Sequence, residues 1–209
     1  MRITLNSFFD HIYCVNLDKR YDRWNDSQKE FKKYQIENVE RFSATDGEKI
    51  PSESYSSRMS AGDIGAFITH TRLFNNALSN GYKNFLLLED DVEFKENFNT
   101  LFDVAVQEVP ADWEILHFGG NHVFGEPVRF TDNVSIPTRT LATHAVAFSN
   151  SVYEKILDLI DDLQPADLIY SQNFYRFKSY EFNPPLAWQR AGWSDVTKSY
   201  SDYDFLRKK

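Results

Sequence analysis

Three consecutive acidic residues follow the most apolar stretch of the chain. Phe85 to Leu88 are all apolar, and Glu89, Asp90 and Asp91 come directly after them. A short, wholly apolar run is typical of a strand buried on both faces of a parallel sheet. The acidic residues are therefore expected at the carboxyl end of that strand, which is where open α/β sheets bind their ligands.

The spacing of these carboxylates suggests a cation. Residues two apart in a strand share a face, so Glu89 and Asp91 are predicted to point one way and Asp90 the other. Two carboxylates about 7 Å apart repel by about 0.6 kcal/mol in water and about 2.4 kcal/mol at an effective dielectric of 20. A hard divalent ion, Mn²⁺ or Mg²⁺, would offset this repulsion, with Asp91 as the first metal ligand and Glu89 as a second. A solvated turn or a helix start is the alternative interpretation.

The composition limits the classes of function. The chain has 209 residues, of which 42% are hydrophobic, and this suits one α/β domain with a full core. A net charge of −8 argues against nucleic-acid binding and against adhesion to anionic membranes. The single cysteine, Cys14, is expected to be a small buried residue in a reducing compartment. We expect no signal peptide and no integral membrane segment, and hence a cytoplasmic location, or one peripheral to the membrane.

Apolar periodicity predicts that strands and helices alternate along the chain. The predicted strands are 11–17, 39–45, 85–88, 113–118, 140–148 and 177–182, and the predicted helices are 18–35, 60–81, 97–109, 151–163 and 165–175. The clearest helix has Ser60 and Asp63 in capping-box spacing, and Gly81 follows it. The segments 48–58, 121–138 and 184–194 are predicted as loops. This order predicts an α/β fold with a Rossmann-like, mostly parallel sheet flanked by helices.

No glycine-rich phosphate loop follows the first predicted strand. The sequence contains neither a G-x-G-x-x-G element there nor a P-loop. A dinucleotide-dependent dehydrogenase and a P-loop kinase are therefore disfavoured.

Several segments together resemble glycosyltransferase family 25, which includes bacterial lipooligosaccharide galactosyltransferases and procollagen galactosyltransferase domains. They are IYCVNLDKRYDRW (12–24), SATDG (43–47), GDIGAFITHTRLF (62–74), LLLEDDV (86–92), PADLIYSQ (165–172) and PPLAWQRAGWSDV (184–196). They occur in the family's order and cover most of the chain. The third departs from the family pattern at Asp63, Ala66 and Thr69, and the loop 121–138 matches no family element.

The resemblance implies a GT-A fold and an inverting, metal-dependent transfer of a sugar. The implied donor is a UDP-sugar, UDP-galactose by family expectation, and the implied acceptor is a glycan, a lipooligosaccharide or a glycoprotein. In this interpretation a single domain spans 1–209. Its half 1–120 binds the nucleotide sugar and the metal, and its half 121–209 binds the acceptor.

Family position also gives candidate roles to individual residues. Asp167 is the candidate general base, although an acid at a helix start can equally complement the helix dipole. Asp195 is its rival, or a third metal ligand. Arg20 and Arg23 are candidates for binding diphosphate, or alternatively belong to a solvated helix face. The remaining candidates for donor contacts are Asn16, Leu17, Asp46, Gly47, Glu89, Asp90 and Gln189. His70 is interpreted as a structural, partly buried histidine. His117 and His144 are interpreted as structural too, with the alternative that either ring reaches the pocket from its strand end.

Two other functions stay open at this point. A metal-dependent nucleotidyltransferase also places acids at strand ends, but it usually has a glycine-rich basic loop after the first strand, which this chain lacks. A catalytically decayed GT-A module would keep the fold and a sugar groove. The intact Glu89–Asp91 cluster and Asp167 argue mildly against decay.

Overall fold

The computed structural model describes residues 2–51, 59–123, 125–159 and 164–207. Their α-helices are α1 (Leu5–Phe8), α2 (Tyr21–Tyr34), α3 (Ala61–Asn80), α4 (Phe98–Ala105), α5 (Tyr153–Leu159), α6 (Ala166–Gln172) and α7 (Asp204–Arg207). The strands are β1 (His11–Asn16), β2 (Val39–Ser43), β3 (Asn84–Glu89), β4 (Val92–Phe94), β5 (Ile115–His117), β6 (Asn121–His122), β7 (Val128–Arg129), β8 (Val134–Ile136), β9 (Thr140–Leu141), β10 (Ala145–Ser149), β11 (Ser179–Phe182), β12 (Ala187–Gln189), β13 (Gly192–Ser194) and β14 (Ser199–Ser201).

The central sheet has the order β2-β1-β3-β10-β5-β11-β8-β7. β1 is parallel to β2 and β3, and β11 is parallel to β5. β10 lies between β3 and β5 and runs antiparallel to both, while β8 is antiparallel to β11 and β7. Six of the eight strands run in the same direction, and only β10 and β8 run in the opposite one. The sheet is thus mixed with mostly parallel strand directions, which confirms the predicted α/β fold.

β3 lies at the centre of the core and is buried on both faces. Leu86 and Leu88 pack with α2 and α4 in one layer, while Phe85 and Leu87 pack with α3, α5 and α6 in the other. All four side chains are at most 1% exposed. Burial on both faces therefore explains the apolar run in the sequence, as predicted, and the strand ends at Glu89 as expected.

The helix α3 has the predicted boundaries. The hydroxyl of Ser60 accepts a hydrogen bond from the Asp63 N–H at 3.1 Å, and the Asp63 carboxylate accepts one from the Ser60 N–H at 2.9 Å. Gly81 ends the helix in the left-handed region, at φ +67°. The capping box and the glycine stop are thus confirmed.

Three predicted elements differ in the structure. The expected strand 140–148 is divided into β9 and β10, because Ala142 has a left-handed backbone with φ +75°. The expected loop 121–138 contains the short strands β6, β7 and β8, and the expected loop 184–194 contains the short strands β12 and β13. Strands of two or three residues are too short to show an alternating pattern, so the sequence did not predict them.

Two further predictions fall partly on residues that the structure leaves undescribed. Of the predicted helix 151–163, the structure describes α5 after a 3₁₀ turn at Asn150–Val152, and residues 160–163 lie outside the description. Of the predicted loop 48–58, residues 52–58 lie outside it. None of the described helices combines the length and the apolar character that a membrane span requires.

The loop after β2 packs backbone to backbone against the first turns of α3. A Cβ atom on Gly47 would lie 1.7 Å from the Ala61 carbonyl oxygen, and one on Gly65 would lie 2.4 Å from the Thr45 carbonyl oxygen. The hydroxyl of Thr69 fixes the contact, because it accepts from the Thr45 N–H at 2.8 Å and donates to the Gly65 carbonyl at 2.6 Å. The two glycines therefore set how closely this loop approaches the helix.

We predict that Gly47→Ala lowers the free energy of unfolding by about 1–3 kcal/mol, because the added methyl group must displace backbone atoms. Urea denaturation of the variant and the wild type measures this difference. Gly192→Ala is the matched control, since a Cβ there meets no heavy atom within 4 Å. Equal stability of the two variants would contradict the tight packing.

Candidate active site

A cavity of about 400 Å³ opens at the carboxyl ends of β1, β2 and β3, and this volume falls in the range typical of small-ligand sites. The start of α3, the segment between β9 and β10, the start of α6 and the turn of the β13–β14 hairpin complete its walls. The predicted site residues that line the cavity are Asn16, Leu17, Arg23, Asp46, Gly47, Glu89, Asp90, Asp91, Asp167, Gln189 and Asp195. Arg20 does not line it and instead pairs with Asp195.

One guanidinium group bridges two of the three clustered acids. Arg23, on the first turns of α2, contacts Oδ1 of Asp90 at 3.0 Å and also contacts Oδ2 of Asp91. The predicted alternation of side chains stops at Glu89, because Asp90 and Asp91 form a turn between β3 and β4. The expectation that Asp90 points away from Asp91 is therefore wrong, and Arg23 supplies part of the positive charge that the cluster needs.

Asp90 is held by protein groups. It is 6% exposed, and its Oδ2 accepts a hydrogen bond from the Asn16 amide at 2.6 Å. The Asn16 amide also donates to the Arg20 carbonyl and accepts from Arg41, so protein contacts engage both of its polar atoms. Burial raises the pKa of Asp90 to about 6, against the opposing attraction of Arg23. Asp90 and Asn16 thus tie the acid cluster to the end of β1.

Glu89 faces the same cavity from the end of β3. Its Oε1 accepts from the Thr143 hydroxyl at 2.6 Å, and its Oε2 accepts from the Gln189 amide at 3.3 Å. Burial, and then the charge of Asp91, raise the pKa of Glu89 to about 8. The strand β12, through Gln189, and the segment before β10, through Thr143, therefore both position this carboxyl group.

A row of ion pairs crosses one edge of the cavity. Lys19 lies 3.0 Å from Asp46 and 3.3 Å from Glu48, and Lys198 lies 2.6 Å from the other oxygen of Glu48. Lys198 belongs to the turn of the β13–β14 hairpin, which Asp195 anchors through Arg20. Glu48 thus connects the loop after β1 to that hairpin.

Asp167 lies at the start of α6, and it lines the same cavity. Its Oδ2 is 3.4 Å from the N–H of Ala142, at the limit of a hydrogen bond. Burial raises the pKa of Asp167 above its ordinary value of 3.8. Such a carboxylate has the partial desolvation that favours a general base.

His70 of α3, interpreted from the sequence as structural, is buried and hydrogen-bonded. Nδ1 of His70 is 2.8 Å from the hydroxyl of Tyr170 on α6, and His70 is 5% exposed. Burial lowers the pKa of His70 to about 4. This neutral ring joins α3 to α6 and lines the cavity.

One oxygen atom of the acid cluster is suited to bind a divalent metal. Oδ1 of Asp91 is buried and has no hydrogen-bond partner in the described residues. Such orphaned oxygens are rare, and a carboxylate oxygen is a preferred ligand of Mg²⁺ and Mn²⁺. Within the described ranges, no group of three or more His, Cys, Asp or Glu residues is arranged to hold a metal. A metal at Asp91 would therefore take most of its ligands from phosphate oxygens and water, as Mg²⁺ commonly does.

Sequence reasoning missed several polar residues of the cavity, among them Lys19, Asn121, Thr143 and Lys198. Lys19 stands within the first family-like segment, so its position next to the predicted Arg20 was the available signal. Asn121 and Lys198 lie in segments without periodicity, whereas Thr143 lies in the predicted strand 140–148. Only the folded chain brings these three residues to the cavity.

The fold and the acid-lined cavity define a protein of the GT-A type. A solved glycosyltransferase involved in the glycosylation of the major capsid of PBCV-1 superposes with a TM-score of 0.52 at 12% identity, over 83% of this chain and 81% of that chain. At this identity the likeness concerns the fold alone.

The family model described as "Glycosyltransferase family 25 (LPS biosynthesis protein)" matches residues 9–157, and this chain belongs to that family. Procollagen galactosyltransferase 2 of Homo sapiens is 27% identical over 147 residues, which are 61% of this chain and 23% of that protein. A glycosyltransferase 25 family member of Aedes aegypti is 26% identical over 127 residues, which are 52% of this chain and 21% of that protein. A relative from Bos taurus, named "Probable inactive glycosyltransferase 25 family member 3", is 24% identical over 134 residues, which are 55% of this chain and 22% of that protein.

These matches cover only part of this chain and only part of its relatives. The chain spans less than a quarter of the length of these curated relatives. The family match includes the acid cluster at Glu89–Asp91 but ends before Asp167, Gln189 and Asp195. The roles of those three residues rest on the geometry of the cavity and on the sequence resemblance.

Proposed function

We propose that this protein is an inverting glycosyltransferase that moves a sugar, galactose by family expectation, from a UDP-sugar to a hydroxyl group of a glycan or glycoconjugate. One observation carries the proposal: the buried acid cluster at the end of β3 and the desolvated Asp167 share one cavity. The first suits a nucleoside diphosphate with a divalent metal, and the second suits deprotonation of an acceptor.

We assign the binding site of the donor to the carboxyl ends of β1, β2 and β3. The nucleoside would lie against the ends of β1 and β2, where Leu17, Asp46 and Gly47 line the cavity. The diphosphate would lie near Asp91, within reach of the positive charges of Arg23, Lys19 and Lys198. A divalent metal held by Asp91, with Glu89 nearby, would neutralise the charge that develops on the leaving diphosphate. Residues 1–120 thus form the donor half in this proposal.

Asp167 is assigned as the base. The acceptor oxygen forms a bond to the anomeric carbon on the face opposite the diphosphate, and the bond from that carbon to the diphosphate oxygen breaks. The diphosphate leaves with the electron pair, and Asp167 takes the proton of the acceptor hydroxyl. A single displacement of this kind inverts the anomeric configuration. Asp195 suits this role less well because it is already paired with Arg20.

A binding module without catalysis is the second candidate, favoured by one observation. Arg23 already contacts two acids of the cluster, and a charge-compensated cluster of this kind can persist without a metal. A module of this kind would bind UDP but would not transfer sugar, with or without Mn²⁺.

Ligand binding distinguishes the donor classes. We predict that UDP with Mn²⁺ raises the melting temperature, because a ligand bound only by the folded state stabilises it. NAD and ATP with Mn²⁺ should produce a much smaller shift. Thermal denaturation of the same protein sample with each nucleotide makes the comparison. A larger shift with NAD or ATP would exclude the sugar-nucleotide assignment.

A further inference from the structure

The insertion between β5 and β10 ends in a two-stranded ribbon at the cavity. β6 and β9 pair antiparallel, with Asn121 opposite Leu141 and His122 opposite Thr140. Asn121 and Leu141 both line the cavity. The ribbon β6–β9 therefore forms one wall of the site.

A buried carboxylate fixes the ribbon to the central sheet. Glu181 of β11 is 2% exposed, and its Oε2 accepts a hydrogen bond from the Thr140 hydroxyl at 3.1 Å. Its Oε1 lies 3.4 Å from Nε2 of His122, and Nδ1 of His122 lies 3.1 Å from the Thr140 hydroxyl. A buried charge requires such partners, so the ribbon has a defined position rather than that of a loose surface loop.

The residues that follow the ribbon contact both functional carboxylates. The N–H of Ala142 points to Asp167, and the hydroxyl of Thr143 donates to Glu89 at 2.6 Å. Ala142 adopts φ +75°, a conformation that residues with a side chain rarely adopt and that is concentrated at functional sites. The dipeptide Ala142–Thr143 therefore contacts both the proposed base and the acid cluster.

Asn121 offers an unused amide at the same place. Its side chain is half-buried and lines the cavity, and it makes no hydrogen bond to the described part of the chain. Its main chain, in contrast, is engaged in the ribbon. A side-chain amide provides two donors and one acceptor carbonyl, which suits neighbouring hydroxyl groups of a sugar ring.

We propose that Asn121 selects the acceptor by hydrogen bonding to hydroxyl groups of a saccharide whose reacting hydroxyl lies against Asp167. This inference rests on the proposed function and assigns its acceptor subsite to the ribbon β6–β9. The donor side of the cavity lies at the ends of β1 to β3, whereas the ribbon contacts α6, where Asp167 begins the helix. A site that hydrogen-bonds a substrate hydroxyl discriminates strongly against compounds that do not satisfy it.

The test measures binding of three probes, the p-nitrophenyl glycosides of β-galactose, β-glucose and N-acetyl-β-glucosamine. Saturation-transfer NMR titrations are made in the presence of UDP and Mn²⁺ with wild type, Asn121→Ala and Asn75→Ala. Asn75 is the matched control because it lies on the exposed face of α3, outside the cavity. UDP affinity is measured for all three proteins and also reports that each is folded.

We expect wild type and Asn75→Ala to bind at least one glycoside equally well, and Asn121→Ala to bind it at least about tenfold more weakly. UDP affinity should be unchanged. The inference is overturned if Asn121→Ala binds the glycosides as wild type does, or if a wild type that binds UDP binds none of them. If the wild-type protein does not bind UDP, the proposed function itself is contradicted, and the inference fails with it.

Discussion

Asp91→Asn is expected to abolish the metal-dependent part of UDP binding while the protein stays folded. Asp91 has the one buried carboxylate oxygen of the acid cluster that lacks a partner in the described residues, and this oxygen is the proposed metal ligand. Loss of an outer partner of a metal site weakens metal affinity by roughly 10–100-fold, and loss of a ligand should exceed that. Calorimetric titration of UDP with and without Mn²⁺ measures the effect.

The structure explains why this variant should fold. Arg23 keeps its contact with Asp90, and the hydrogen bond from the Arg190 N–H uses the main-chain carbonyl of Asp91, which the substitution does not change. Asp132→Asn is the matched control, because Asp132 pairs with Arg129 on an exposed turn outside the cavity. An Asp91→Asn protein that binds Mn²⁺ and UDP as wild type does would show that the cluster is not the metal site.

Asp167→Asn is expected to lower turnover by about 10²–10⁴-fold and to leave UDP affinity near that of wild type. The amide keeps the size of the side chain but cannot accept the acceptor's proton. Sugar transfer and UDP affinity, measured side by side, separate loss of chemistry from loss of donor binding. The companion variant Asp195→Asn removes the partner of Arg20 and should have a smaller effect on turnover.

The two aspartates give distinguishable outcomes. Normal transfer by Asp167→Asn, together with lost transfer but retained UDP binding in Asp195→Asn, would make Asp195 the base. Loss of Mn²⁺-dependent UDP binding in Asp195→Asn would instead make it a metal ligand. In wild type, a base must be deprotonated, and burial raises the pKa of Asp167 above 3.8. The activity should therefore fall on acidification at a pH above that ordinary value.

Local patterns in the sequence were sufficient to predict most of the elements that hold the site. The apolar run before Glu89 predicted a strand buried on both faces, because both layers of the core require apolar side chains there. Ser60 and Gly81 predicted the ends of α3, because capping and left-handed termination depend on residues close in sequence. Most of the predicted site residues line one cavity, because the ends of neighbouring parallel strands meet at one edge of the sheet.

Contacts between distant segments could not be predicted in this way. The bridge from Arg23 to the acid cluster joins residues 68 positions apart in sequence, and one guanidinium group contacts both Asp90 and Asp91. Alanine has no preference for positive φ, so nothing in the sequence indicated that Ala142 would end β9 and direct its N–H to Asp167. The ribbon β6–β9 has two residues per strand, and its position depends on Glu181, far along the chain.

The most direct measurement is release of nucleoside diphosphate from a panel of nucleotide sugars, with and without Mn²⁺ and with the glycosides as acceptors. We predict release of UDP from a UDP-sugar, UDP-galactose first, that depends on Mn²⁺, increases with a bound glycoside, and falls in Asp91→Asn and Asp167→Asn. Failure of the wild-type protein to release a nucleoside diphosphate from any member of the panel, while it still binds UDP, would contradict a glycosyltransferase and favour the binding module.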